Sequence, residues 1–148
     1  MSAEAPVFVD TNVLVYAFDR SAGERHDTAA RSVESLWLRR LGCISVQVLQ
    51  ELHVTLTRKV ARTLAVSESR TIVADLAAWV VHAPTPDDVI AAVDAQSAFQ
   101  VSFRDAMALT SAARLGCDVL LSEDLQHGRT YGTVTVVNPF LPAPATAS

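Results

Sequence analysis

Four acidic residues stand where a polar side chain can do chemistry. Asp10 closes the apolar run Val7-Phe8-Val9, and Glu51 lies on a helical stretch that follows Cys43-Ile44-Ser45. Asp105 opens another helical stretch after Ser102 and Phe103, and Asp124 comes just past Asp118-Val119-Leu120-Leu121. The apolar runs read as short strands, and in an open parallel sheet ligands bind beyond the carboxyl ends of the strands. Four carboxylates gathered there repel one another and raise their own pKa values unless a divalent cation neutralises them. An oxygen-only donor set favours Mg2+ or Mn2+ over zinc, which prefers His and Cys. The chemistry such a set offers is the binding of a divalent cation.

Each acid also has a structural alternative. Asp10-Thr11-Asn12 can cap a helix after a strand, and Ser122-Glu123-Asp124 has the composition of another cap. Glu51 sits between Leu49 and Leu52 and fits a solvated helix flank. Asp105, in a first helical turn, complements the helix dipole. No single acid decides between the two readings. The argument for a site is that all four fall on the same side of one sheet.

The elements that must position them follow from periodicity. Apolar residues recur at helical spacing over 24–41 (Ala29, Val33, Leu36, Trp37, Leu41), with Gly42 as the expected stop. A second helix is expected over 46–62 and a third over 67–80, the latter opened by Ser-Glu-Ser-Arg. Pro84-Thr85-Pro86-Asp87-Asp88 opens a fourth, with proline and acids suited to a first turn. A fifth runs over 104–115 and stops at Gly116. Strands are expected at 7–9, 43–45, 80–83, 118–121 and 133–137, and 122–124 is expected to cap a further helix. Alternation of this kind predicts a three-layer α/β/α domain around a mostly parallel sheet. The ordered part is expected over about 6–140, with a Pro- and Ala-rich tail that frays.

Composition narrows the class. A chain of 148 residues, 50% hydrophobic and 19% charged, suits one globular domain and excludes disordered and disulfide-stapled classes. Net charge is −4, so no basic field points to nucleic acid; Lys59 is the one lysine beside eleven arginines. Cys43 and Cys117 are expected as free buried thiols. His26, His53, His82 and His127 lack metal spacing and read as solvated or locally bonded, while Trp37 and Trp79 read as helix-face core or a subunit contact. Met1 to Pro6 lacks the features of a secretory leader, and no apolar stretch nears the ~20 residues of a membrane span. A cytoplasmic protein without membrane contact is expected.

Taken in order, four segments are familiar. Residues 7–19 (VFVDTNVLVYAFD) resemble the opening of PIN-domain ribonucleases, in particular VapC-type toxins of bacterial toxin–antitoxin pairs. Ser45-Val46-Gln47-Val48-Leu49-Gln50-Glu51, then Ser102-Phe103-Arg104-Asp105-Ala106, then Leu120-Leu121-Ser122-Glu123-Asp124-Leu125 agree in order and spacing over about residues 6–140. The resemblance implies a catalytic set of Asp10, Glu51, Asp105 and Asp124, with Asp10, Asp105 and Asp124 as ligands of Mg2+ or Mn2+. Glu51 is implied as a further ligand or as the base for the attacking water. Thr11, Asn12 and Ser122 match polar supporting positions, and Asp124 is preferred over Glu123 as the fourth acid. It further implies single-stranded or looped RNA as substrate, products with a 3′-hydroxyl and a 5′-phosphate, a cognate antitoxin, and a homodimer. Two rivals are weaker. A silent PIN-like binding module has no need of four repelling acids, and a phosphohydrolase built on Asp-x-Asp does not match Asn12 two residues after Asp10.

Overall fold

The computed structural model describes residues 4–142. Its elements are β1 (Val7–Val9), α1 (Thr11–Phe18), α2 (Glu24–Arg39), β2 (Gly42–Ser45), α3 (Val46–Arg58), α4 (Val66–Leu76), β3 (Val80–His82), α5 (Pro86–Phe99), α6 (Phe103–Arg114), β4 (Val119–Leu121), β5 (Thr130–Tyr131) and β6 (Val134–Val137). They build a three-layer α/β/α fold around one six-stranded sheet in the order β3-β2-β1-β4-β6-β5. Every pairing is parallel except that of β5 with β6. From β1 the chain winds outward through β2 to β3, then returns to place β4 on the other side of β1. Strand order therefore reverses beside β1, where such sheets form a crevice.

Short β-branched and aliphatic runs make the strands, and they are buried because helices cover them. Phe8, Val9, Ile44, Leu120 and Val136 have no exposed surface, and neither do Leu14 of α1 nor Leu52 and Leu56 of α3. α1 packs on α2 and α3, and α3 on α4, while α5 packs on α6 and α6 lies against β2, β4 and β6. Polar caps fix where the helices start. Ser45 accepts from Val48 N at 3.3 Å, Thr85 from Asp88 N at 3.3 Å, and Ser102 from Asp105 N at 3.1 Å. No helix among the described residues is long and apolar enough to cross a membrane.

Several expectations need correction. No helix follows Ser122-Glu123-Asp124: the chain runs through turns to β5, which forms a hairpin with β6 and has too short a run to signal itself. α1 begins directly after Asp10, so the capping role open to that residue is real. α3 ends at Arg58, not 62, and α4 spans Val66–Leu76, with Glu68 Oε1 accepting from Ala65 N at 3.1 Å. Trp79 lies in the turn after α4, not on a helix face, and its ring meets that of Trp37, which is exposed on α2 and not core, at 5.5 Å between centroids. Gly42 does not stop α2. That helix is closed by Arg40 in the left-handed region, and Gly42 starts β2 beneath the Trp79 ring. Cys43 and Cys117 are free and buried, as expected. Of the tail expected to fray, 143–148 lie outside the described residues, and Phe140 packs edge-on against Tyr16.

On β3 and the helices that follow it, one polar network is satisfied internally. Asp88 Oδ2 accepts from Thr85 N at 2.8 Å, and Oδ1 accepts from Arg114 Nε at 2.7 Å. His82 places Nε2 3.2 Å from Asp88 and Nδ1 2.8 Å from Ser111 Oγ. The Thr85 amide first, and then Arg114, hold the Asp88 carboxyl down at about 2. A depressed folded-state pKa gives stability that is complete above the ordinary carboxylate value of about 3.9 and is lost as pH falls toward the folded value. Urea midpoints of the wild type should therefore drop between about pH 4 and pH 2, and Asp88→Asn should flatten that part of the drop. A second expectation concerns Gly42, where a Cβ would lie 2.5 Å from the Trp79 ring. Gly42→Ala should destabilise by about 1–3 kcal/mol in chemical denaturation.

Candidate active site

Asp10 is the innermost of the four acids, with 1% of its surface exposed. Its position at the end of β1 is fixed by the bond from its own N–H to Leu121 O of β4, at 2.9 Å. Oδ1 accepts from Thr11 N at 2.8 Å, and Oδ2 accepts from Ser122 Oγ at 2.8 Å. Burial, the largest influence, pushes the Asp10 carboxyl above the usual range, against the pull of Arg104, Ser122 and the Thr11 amide. Ser122, wholly buried, also accepts from Asp124 N at 3.1 Å and from Asn12 Nδ2 at 3.4 Å. Asn12 Oδ1 in turn accepts from Glu123 N at 3.4 Å. Asn12 and Ser122 thus clip the segment after β1 to the segment after β4, which is how two remote acids come to share one place.

α6 brings the third acid, Asp105, on its first turn. One carboxylate oxygen each from Asp10, Asp105 and Asp124 lie within 4.8 Å of one another. Glu51 is not in that trio. It stands on α3 at the rim, 38% exposed at its side chain, and connects to the trio through an arginine. Glu123 is engaged elsewhere: Tyr16 donates its hydroxyl to Oε1 at 2.8 Å, and Arg25 Nη1 lies 3.5 Å from Oε2. Arg25 itself stacks over the Phe140 ring at 4.9 Å. Of the adjacent pair, Asp124 is the one in the cluster.

Arg104 is the site residue that composition and spacing did not single out. Nε and Nη2 donate to Glu51 Oε2 at 2.9 and 2.7 Å, and Nη2 also lies 3.3 Å from Asp10 Oδ1. Nη1 lies 3.5 Å from Asp105 Oδ1 and 3.4 Å from Asp124 Oδ2. Burial works against its charge, yet the carboxylates of Asp10, Glu51 and Asp124 outweigh burial and raise its pKa. The one available signal was a cation set within an acidic motif, next to Asp105. Arg20, Arg31, Arg58 and Arg62, by contrast, make no ion pair among the described residues.

A cavity of about 210 Å³ opens from this cluster, lined by Asp10, Thr11, Gln47, Glu51, Phe103 and Arg104 among others. Thr11 Oγ1 and Gln47 Oε1 are buried without a partner among the described residues. The four histidines are bonded locally, to Tyr16 O, Ser69, Ser111 and the backbone at Asn138 and Pro142, so none serves the cluster. For a hard divalent cation the three aspartates fit: the donors are all oxygens, they converge, and a positive group already lies among them. The pocket combines a negative centre with a partly apolar wall and polar atoms that lack partners.

Comparison with known proteins agrees with the fold. The PIN domain family model matches residues 7–132. Among solved structures, Mycobacterium tuberculosis VapC20, described as a Sarcin-Ricin loop cleaving toxin, is similar at TM-score 0.60 and 22% identity, over 80% of this chain and 91% of that one. A toxin–antitoxin complex from Klebsiella pneumoniae is similar at TM-score 0.65 and 18% identity, covering 92% and 98%. DNA-bound VapBC from Salmonella typhimurium is similar at 0.64 and 16%, covering 90% and 97%. A search of curated protein sequences found no match. Sequence pattern across most of the chain and a shared fold place it together: the chain belongs to the PIN-domain family.

Proposed function

We propose that this protein is a metal-dependent endoribonuclease, the toxin half of a toxin–antitoxin pair, and that residues 1–148 form its one nuclease domain. The observation that carries the reading is the convergence of Asp10, Asp105 and Asp124 oxygens within 4.8 Å at the crevice of the sheet. Asp10, Asp105 and Asp124 would hold Mg2+ or Mn2+, which would supply the charge to polarise a phosphodiester and to make a water nucleophilic near neutral pH. Glu51 stands at the rim, placed to take the proton of the attacking water or to complete the ligand set. Ser122, Asn12 and the Thr11 amide hold Asp10 and Asp124 in position. The substrate is RNA in a single strand or loop, where a phosphate can be brought down to a buried acid. Relatives of this fold are described as a cleaving toxin and as toxin–antitoxin complexes, which supports an antitoxin partner.

Asp10→Asn keeps the size and capping ability of the residue and removes its charge. A pure cap tolerates the change. Loss of a group that merely orients a metal ligand costs about 10–100-fold, so Asp10→Asn should lower RNA cleavage by more than about 100-fold in a protein whose circular dichroism is unchanged. Growth arrest on expression should vanish with it. Glu123→Gln, outside the cluster, should keep much of the cleavage. Full Mg2+-dependent cleavage by folded Asp10→Asn would sink the assignment.

Metal linkage gives a check without substrate. A cation that binds only the folded chain stabilises it by about 2.7 kcal/mol at a hundredfold excess over its Kd. Thermal melts in Mn2+ should therefore shift upward from those in chelator, and Asp10→Asn should lose most of the shift. Assembly is the remaining point. Val89, Ile90 and Val93 of α5 are exposed at 40%, 60% and 51%, an apolar patch suited to a second copy in a twofold dimer. Sedimentation should give twice the chain mass of 15.9 kDa, and a clean monomer at micromolar concentration would remove the dimer.

A further inference from the structure

Arg104 touches every acid of the centre, and its contacts are unequal. Those to Glu51 are short, at 2.7 and 2.9 Å, while those to Asp10, Asp105 and Asp124 run from 3.3 to 3.5 Å. The oxygens at these longer distances belong to the same three residues that converge within 4.8 Å. A divalent cation bound at this cluster would need those same oxygens. The guanidinium nitrogens border that same space, so two positive groups compete for one set of negative partners. Glu51 is a separate anchor at the rim, and the Arg104 side chain is 41% exposed, which leaves it a path toward solvent. It also lines the cavity of about 210 Å³ beside the cluster.

We propose that Arg104 is a resident counter-ion that yields the three aspartates to the divalent cation, keeps its hold on Glu51, and then binds the phosphate of the incoming RNA. The inference rests on the nuclease reading above. It answers a problem that reading creates: four carboxylates in a protein of net charge −4 must accept a polyanion. A planar guanidinium has five donors, so it can keep Glu51 and still offer N–H groups to a phosphate. It also accounts for how so acidic a cluster stays folded before metal arrives, since removing the guanidinium leaves Asp10 buried among like charges.

The test uses the full chain and Mn2+ alone, followed by titration calorimetry, with wild type, Arg104→Gln, Arg104→Lys and Asp105→Asn. Arg104→Gln should bind Mn2+ about tenfold more tightly than wild type, the size of a typical coupling between competing ligands. In chelator it should melt lower than wild type, and Mn2+ should restore it. Arg104→Lys, which keeps the charge, should bind Mn2+ with nearly wild-type affinity. With Mn2+ saturating, a non-cleavable 2′-O-methyl oligoribonucleotide should bind Arg104→Gln about tenfold more weakly by anisotropy. Equal or weaker Mn2+ affinity in folded Arg104→Gln overturns this inference while leaving the nuclease reading intact. Undiminished Mn2+ binding by Asp105→Asn, or no Mn2+ binding by any of these proteins, overturns the nuclease reading itself.

Discussion

Asp10 holds its carboxylate where almost no water reaches, and a charge in that position survives only if the chain brings partners to it. The partners come from three directions. The Thr11 amide is local, Ser122 arrives with β4, and Arg104 arrives with the first turn of α6. Each of these requires a piece of the fold to be in place. β1 must pair with β4 for Ser122 to reach, and α6 must lie against the sheet for Arg104 to reach. The need to satisfy one buried acid is thus met by the same contacts that gather the other acids, so the site and the fold are stabilised together.

The placement of α6 is secured at both ends. At its start, Ser102 caps the helix and Arg104 ties it to α3 through Glu51. Toward its end, Ser111 and Arg114 join a network with His82 and Asp88 that binds β3, α5 and α6 to one another. Every member of that network has a partner, so it adds direction to the packing without leaving a buried polar atom unpaired. Apolar packing alone tolerates small slides of one helix past another. A directional polar contact at each end does not, and Asp105 inherits the precision.

Much of this was legible in the residue pattern. The strands β1, β2, β3, β4 and β6 stand out as short apolar runs; Asp10 and Asp124 follow from the ends of β1 and β4, and Asp105 from the opening of α6. Other features depend on contacts that no local window contains. Gly42 has the look of a helix stop, but its lack of a side chain is required by Trp79, thirty-seven positions away, whose ring lies over β2. The helix expected after Ser122 is absent; there the Ser122 hydroxyl serves Asp10 and Asp124 N, and Asn12 takes the amide of Glu123. Arg104 reads as one arginine among eleven, and only folding shows that it enters the acidic pocket. Glu51 and Asp124 look alike as sequence positions, and differ once Arg104 stands between Glu51 and the rest.

The clip between Asn12 and Ser122 has a consequence for the life of the chain on the ribosome. Asp10 and Ser122 are separated by 112 positions, and β4 must be made before β1 has its neighbour on that side. Contacts so distant in sequence form late and only after most of the chain is available. While β1, α1 and the elements up to α6 emerge, the three aspartates cannot meet, because Asp124 has not been synthesised. A nascent chain carrying this sequence is therefore unable to assemble its acidic centre until Asp124 has been made, and a fragment ending before Ser122 lacks both the clip and the third aspartate.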